Sequence, residues 1–458
     1  MPPDVRPVSP PSGRGDDVVP FLESHGLFAV SPPIHASDLG LIHTDPFLYY
    51  LVRRLGLSKP LERREALVRG SYFHTAFEYI LLDKDARRRA YEARMASRID
   101  EMNTVFKTMG ILGEKAERLR EQERADAMTA LGWFEAAITL QYQSSETLRS
   151  GLISHLRAPY MRTLGSEVRV TAKLFDTYDT CVIADKLVYN ENTNEVWIYD
   201  PKTTGGDALE RAKVCPHDFA TSLYMLTVKA RLDDGSLQEM FKIPSSATLG
   251  GMKHIVVSKP DIRLSGKDRP YHYVALGARS GVSATIRFTG GKWVVELASL
   301  VAGGGAPRTV AFTQEVDAFI FAHTEAGKKP EKVYAGEPNV DLYTKRCHDY
   351  YHRKGDYAPP SGEVDSSVFV AVSRTALSYI DGDKEKEVLD ILDRLHYYAT
   401  CPPVPYNFYR SMGGAWKTMG SEVSDYEPFY SHRPAQWPDI MLRNGFTIRH
   451  RDEVPANP

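Results

Sequence analysis

Two aspartates separated by fourteen residues, Asp185 in TCVIADKLVYN and Asp200 in EVWIYDPKTT, are the residues of this chain best placed to do chemistry. Lys202 follows the second acid by two positions, with Pro201 between them and Thr203 after. Residues i and i+2 on a strand share a face, so Asp200 and Lys202 point into the same space. Both stretches are rich in Val, Ile and Tyr, as strands are, and Asn190-Glu191-Asn192-Thr193-Asn194 supplies the turn between them. An antiparallel pair would bring the two acids close together. Carboxylates converging beside an ammonium suit a hard divalent cation and an activated water, the chemistry of phosphodiester hydrolysis. An acid before a turn, or a D-x-K on a surface strand, is common without any such role. Here each acid closes an apolar run, Val182-Ile183-Ala184 and Val196-Trp197-Ile198-Tyr199, where an unpaired charge is costly.

A histidine upstream fits the same site. In ALVRGSYFHTAFEYILL, Phe73, Phe77, Ile80 and Leu81 form a helical apolar stripe with His74 at its edge and Glu78 one turn later. A single histidine beside a core face is ordinarily a packing residue. Gly70, one turn before His74, would let a backbone or a substrate approach closely. With the two aspartates, an imidazole would complete a mixed N/O site of the kind Mg²⁺ or Mn²⁺ accepts. Glu78 reads as an outer or solvated residue.

The order of these elements resembles the PD-(D/E)xK nuclease superfamily, and within it the RecB-type nuclease domain and its phage exonuclease relatives. Three features carry the resemblance: Asp185 followed by Asp200-x-Lys202-Thr203, the G-x-x-x-H pattern of Gly70-Ser71-Tyr72-Phe73-His74, and Glu167 in SEVRV, where the family often places an acid on the strand opening its sheet. The resemblance covers about residues 40–260. It implies an α/β fold with a mixed central sheet flanked by helices, and a metal-dependent DNA nuclease. His74, Asp185, Asp200 and the backbone carbonyl of Pro201 would hold Mg²⁺ or Mn²⁺, and Lys202 would position and help deprotonate the attacking water. Glu167 would bind a second metal or orient water, and Arg69 and Thr203 would touch substrate. Relatives often carry Q-x-x-x-Y on the helix after the acids. This chain has Tyr224 with Ala220 four positions before it, so Tyr224 is a substrate contact or a core aromatic.

The resemblance favours exonuclease action on linear or single-stranded DNA ends, in recombination, repair or phage DNA processing, beside a helicase or a single-strand annealing protein. A structure-specific endonuclease is one alternative, and a non-catalytic nucleic-acid-binding or assembly subunit is the other. Some RecB-type nucleases hold an iron–sulfur cluster on four cysteines. Cys181, Cys215, Cys347 and Cys401 lack C-x-x-C spacing, and only Cys401 lies in the tail, so no cluster is expected. Trp416, Tyr426 and Tyr430 are expected to pack in its place.

The 458 residues suit one elaborated domain or two, and 42% apolar residues suffice for a core. No apolar run approaches the ~20 residues that span a bilayer. The scattered cysteines point to a reducing cytosol. A net charge of -2 gives no global attraction to nucleic acid, so phosphate contacts would have to be local. Arg53, Arg54, Lys59, Arg63, Arg64 and Arg69, next to the His74 helix, are the preferred candidates. Arg87-Arg88-Arg89 and Lys328-Lys329 with Lys332 read as solvated faces, and Tyr350-Tyr351 as core packing ahead of a stacking surface for bases.

Along the chain, residues 1–20 read as a disordered tail and residues 21–160 as mainly helical, with a charged stretch from Glu114 to about Ser150 covering one edge of the sheet. Residues 161–260 hold the sheet and its helix, with Lys253-His254-Ile255-Val256-Val257 as the far strand. Residues 261–312 form an insertion with a hairpin around Gly290-Gly291, and residues 313–458 are helical and then irregular. The fragments TGGK and GGAWKT lack the Gly-Lys-Ser/Thr ending of a phosphate loop.

Overall fold

The β-branched runs of the central segment pair as antiparallel strands because tight turns join them, and helices flank the sheet they begin. The structure, a computed structural model, describes residues 33–36, 38–39, 41, 45–54, 57–58, 65–108, 110–140, 151–301, 305–336, 338–354, 364–366, 370–380, 382–400 and 447–448. In chain order the elements begin with β1 (Ile34–His35), α1 (Pro46–Tyr49), β2 (Leu57–Ser58), α2 (Glu65–Glu78), α3 (Lys84–Thr108), α4 (Glu114–Ile138) and α5 (Leu152–Leu156). They continue with β3 (Met161–Leu174), β4 (Tyr178–Asn190), β5 (Glu195–Thr204), α6 (Ala208–Val214), α7 (Phe219–Asp233), α8 (Ser236–Phe241) and β6 (Thr248–Ser258). Next come β7 (Tyr271–Gly277), β8 (Val282–Thr289), β9 (Lys292–Ser299), β10 (Arg308–Phe312), α9 (Glu315–Ala326), β11 (Glu331–Tyr334) and α10 (Val340–Lys354). The last are β12 (Val364–Ser366), β13 (Val370–Ala376), α11 (Gly382–Thr400) and β14 (Thr447–Ile448), which pairs with β2.

Two compact units emerge: the described residues of Met1–Gly110, Ala137–Lys259 and Lys354–Pro458 form one, and those of Ile111–Ala136 and Pro260–Arg353 the other. The first is built on a seven-stranded mixed sheet in the order β1-β4-β5-β6-β13-β12, with β3 also paired to β4. Val182, Ala184, Val196 and Ile198 of the sheet share a buried core with Leu223, Leu226 and Val228 of α7. Each Val, Leu or Ile side chain among them contributes about 1.5–3 kcal/mol on burial. Helix α2 packs on β4 and β5, and α7 on β3, β4 and β6. The expected mixed α/β sheet flanked by helices is therefore present. Lys253–Val257 does not end it: β13 pairs antiparallel with β6 over Val370↔Val257 to Ala376↔Gly251, so β6 is interior. A strand that starts more than a hundred residues downstream leaves no local signal beside 253–257.

Two irregularities shape the sheet around the acids. On β4, the edge away from β3 is taken by β5 over Lys186–Asn190 and by β1 at Thr180 and Cys181. Among the described residues no strand pairs with that edge from Val182 to Asp185, which leaves a gap at the first acid. On β6, Leu249 pairs with Val196 but Gly251 with Trp197, so Gly250 is an extra, bulged residue. A Cβ on Gly250 would lie 2.4 Å from the Trp197 ring, so only glycine fits under that indole. The one-residue shift places His254, rather than Lys253, beside Asp200.

In the second unit, β7 to β11 form a five-stranded sheet in the order β10-β9-β8-β7-β11, with Ala318, Ala322 and Ala326 of α9 in its core. The hairpin expected at Gly290-Gly291 joins β8 to β9, and both glycines have positive φ, 58° and 77°. It belongs to a larger sheet, closed by β11 within a stretch whose pattern reads as helix. TGGK is this turn and not a phosphate loop. Of the charged stretch from Glu114, residues up to Ala136 fall in the second unit, where Trp133 Nε1 donates to Tyr343 Oη at 2.9 Å. The 1–20 tail, Cys401, GGAWKT, Trp416, Tyr426 and Tyr430 lie outside the described residues.

Candidate functional site

The β4–β5 hairpin sets the two acids opposite each other. Asn190 Oδ1 accepts from Asn192 N at 3.0 Å and Thr193 N at 3.4 Å, and Asn194 takes a φ of 57°, closing the turn. Pairing then runs back from Asn190↔Glu195 to Lys186↔Tyr199. The next position in that register is Asp185 opposite Asp200. The ladder ends there, and Pro201, which has no N–H to give, follows at once. Beyond it β5 pairs only with β6, and Pro201 is buried in register with Ile255.

Helix α2 brings the third group. Tyr72, Phe73, Ala76 and Phe77 are buried, which turns the edge carrying His74 toward the gap beside β4. His74 Nδ1 stands 2.7 Å from Asp185 Oδ1. One ligand atom each from His74, Asp185 and Asp200 lies within 4.8 Å of the others, and among the described residues this is the one such group of three. Lys202 Nζ is 3.0 Å from Asp200 Oδ2. A nitrogen and two carboxylate oxygens are a donor set that suits a hard divalent cation. The residues present fit such an ion.

The electrostatics of the group follow from two acids sharing one buried space. Burial raises Asp185, offset only in part by His74, and Asp200 beside it adds to the rise. Burial also works against charge on Asp200, but Lys202 and then His254 outweigh it and hold the carboxyl at about 2. His74 is depressed by burial, yet Asp185 and Asp200 carry it above its ordinary value. Burial likewise opposes charge on Lys202, and the two aspartates prevail and keep it an ammonium. A divalent ion would compete with protons for the His74–Asp185 pair.

The remaining expected residues spread around this centre. Glu167 is not in the group of three. It occupies the register position opposite Asp185, on the one rung missing between Ser166↔Lys186 and Val168↔Ala184, with a φ of 52°. That is a strained backbone for glutamate, of the kind that gathers at functional sites. Burial, then Asp200, Asp185 and Glu167 push the Tyr224 phenol up, so the hydroxyl lies in the field of all three acids while the ring packs on the core. Thr203 lies under α2: a Cβ on Gly70 would meet only its Oγ1, at 3.8 Å. That is ordinary contact, so the close approach expected at Gly70 is not required by the fold. Arg69 adjoins Lys259, whose ammonium is lowered by burial and then by the Arg69 charge. Arg53, expected on the nucleic-acid face, is paired with Asp38 at 2.7 Å. Arg87 is buried rather than solvated and donates to Leu82 O at 3.1 Å. Residues 59–64 and the Arg54 side chain lie outside the described residues.

Three residues of the site escape sequence reasoning. Lys186, next to Asp185, is buried and donates to Glu78 O at 3.2 Å and to Ser166 Oγ. It pins the C-terminal end of α2 to β4, so Glu78 serves through its carbonyl rather than its carboxylate. Burial lowers this ammonium to about 8 despite the nearby acids. The other two are His254 and Thr221, which meet behind Asp200. A histidine heading the apolar run Ile255-Val256-Val257 was the available signal, since a polar group inside a central strand needs a partner.

Comparison with known families agrees with this geometry. The profile of the PD-(D/E)XK nuclease superfamily matches residues 35–262, a span that holds His74, Asp185, Asp200, Lys202 and His254. The chain belongs to that superfamily, whose members use divalent metals and cut nucleic acid. No curated protein matches the chain.

Proposed function

We propose that this chain is a Mg²⁺- or Mn²⁺-dependent deoxyribonuclease of the RecB-type branch that degrades linear DNA from its ends. The observation that carries the reading is the convergence of His74, Asp185 and Asp200 within 4.8 Å, with the Lys202 ammonium 3.0 Å from Asp200. His74, Asp185, Asp200 and the Pro201 carbonyl are the proposed ligands. A divalent cation there would supply Lewis-acid stabilisation of the charge that develops on the scissile phosphate. Lys202, held charged, orients the attacking water and favours its loss of a proton by electrostatics. Glu167 orients water or supports a second cation from the position opposite Asp185. Arg69, Thr203 and Tyr224 touch the DNA backbone or bases at the rim, and Lys259 adds a second cation beside Arg69. Work on recombination, repair or phage DNA ends, beside a helicase or an annealing protein, would suit such an enzyme.

The test is digestion of end-labelled linear duplex and covalently closed circular DNA with Mg²⁺, Mn²⁺ or EDTA, comparing wild type with Asp200→Ala. Metal-dependent loss of linear DNA alone, absent in the variant, is the expected result. Cleavage of closed circles would replace the exonuclease by an endonuclease. Full cleavage by Asp200→Ala would sink the site assignment. Cleavage by neither protein would leave a non-catalytic nucleic-acid-binding subunit.

A further inference from the structure

His254 is 2% exposed on an interior strand, beside Asp200 on β5 and Ser373 on β13. It stands there because of the Gly250 bulge. Its Nε2 lies 3.2 Å from Thr221 Oγ1 and 3.5 Å from Asp200 Oδ2. Thr221 is in the first turn of α7, which Asp218 caps by accepting from Ala220 N at 3.0 Å. The Thr221 hydroxyl gives its only proton to the Cys215 carbonyl, at 2.8 Å. It therefore offers His254 lone pairs alone, and Nε2 must carry the ring proton. Nδ1 is buried without a hydrogen-bond partner among the described residues, which suits a bare acceptor better than an orphaned N–H.

This ring is not packing material. A buried imidazole kept only for its volume would be better replaced by leucine. Both Lys202 and His254 meet the same oxygen of Asp200, Oδ2. Lys202 Nζ at 3.0 Å and the Nε2–H of His254 at 3.5 Å, which is shared with Thr221 Oγ1, both lie against Oδ2 and favour one rotation of the carboxylate. The row Asp200–His254–Ser373 has the composition of a hydrolase triad, but Ser373 is fully buried and can attack nothing.

We propose that His254 is a positioning residue of the nuclease site: its Nε2–H, held in that tautomer by Thr221, orients the Asp200 carboxylate so that one oxygen is kept for a divalent cation. The proposal rests on the reading of His74, Asp185 and Asp200 as a metal site. Outer partners that orient a ligand typically govern 10–100-fold in metal affinity.

The experiment is calorimetric titration of the full chain with Mn²⁺, without DNA, for wild type, Asp200→Asn, His254→Leu, His254→Gln and Thr221→Val. His254→Leu is expected to weaken Mn²⁺ about tenfold or more. His254→Gln, whose amide N–H reaches a similar distance, should recover most of that loss, and Thr221→Val should fall between. In the Asp200→Asn background His254→Leu should change nothing further. Wild-type affinity in His254→Leu, with binding lost in Asp200→Asn, would overturn the positioning role and leave the metal site standing. Undiminished binding by Asp200→Asn would overturn the metal site and the positioning role with it. Should His254→Leu not fold, Thr221→Val and the wild-type ring decide. Long-range ¹H–¹⁵N correlations must show the Nε2–H tautomer, and an Nδ1–H tautomer refutes the proposal.

Discussion

Replacing Lys202 with methionine should separate cation binding from catalysis. The ammonium is 3.0 Å from Asp200 Oδ2, and at an effective dielectric near 20 two charges that close attract by about 5 kcal/mol before desolvation is subtracted. The net effect on Asp200 is smaller. Its carboxyl falls from 3.8 to about 2, worth about 2.5 kcal/mol, against a burial effect of opposite sign. Lys202 is the largest influence holding it down, so in Lys202→Met the carboxyl rises toward or above its ordinary value, and a bound divalent cation takes over the role of the lost charge. The ligand set survives, and one positive charge that repels an incoming cation is gone. Mn²⁺ affinity should therefore hold or improve. On the role proposed for Lys202, the chemical step loses a charge aimed at the attacking water and the phosphate, an effect of about 10²–10³ in rate, or about 2.7–4 kcal/mol. The assay is single-turnover cleavage of end-labelled linear DNA at saturating Mn²⁺, with Mn²⁺ affinity measured separately. A variant that cleaves within threefold of wild type, or that loses Mn²⁺ affinity while keeping its rate, would refute the reasoning.

Three other outcomes follow from the geometry. A divalent cation competes with protons for the His74 imidazole and the Asp185 carboxyl, both raised from their ordinary values, so Mn²⁺ binding should release protons and tighten as pH rises; calorimetry in two buffers of different ionisation enthalpy reads this, and pH-independent binding without release contradicts it. Gly250→Ala drives a Cβ into the Trp197 ring and should cost about 1–3 kcal/mol, seen as a lower urea midpoint, whereas an unchanged midpoint would mean the bulge is slack. His155, whose Nε2 is 3.1 Å from Tyr199 Oη, is lowered by burial and then by Lys253 to about 4. The unfolded chain takes this proton first, so its contribution is complete above about pH 6.5 and is lost as pH falls toward 4, about 2 kcal/mol by pH 5. His155→Phe should flatten the fall in melting temperature between pH 7.5 and 5, and an equally steep fall would exclude His155 as its source.

What could be read from the chain was local. The hairpin that opposes Asp185 and Asp200 follows from strand composition, a turn of asparagines and a spacing that returns the chain on itself. Lys202 shares a face with Asp200 through the period of two, and His74 sits at the edge of a stripe of period 3.6. Each depends on neighbours a few residues away, so type and spacing were enough to assemble the acids, the lysine and the histidine helix. Tertiary structure decided the rest. His254 reaches Asp200 only because Gly250 bulges under Trp197, and one residue of slip would have put Lys253 there. Lys186 is a surface cation by composition and becomes a buried clamp once the end of α2 lies over it. Residues 111–136 carry a charged helical pattern that names no partner, and pack with residues 260–353. Periodicity tells which face of an element is buried; what it is buried against depends on contacts between residues far apart in the chain, where register and loop closure outweigh local preference.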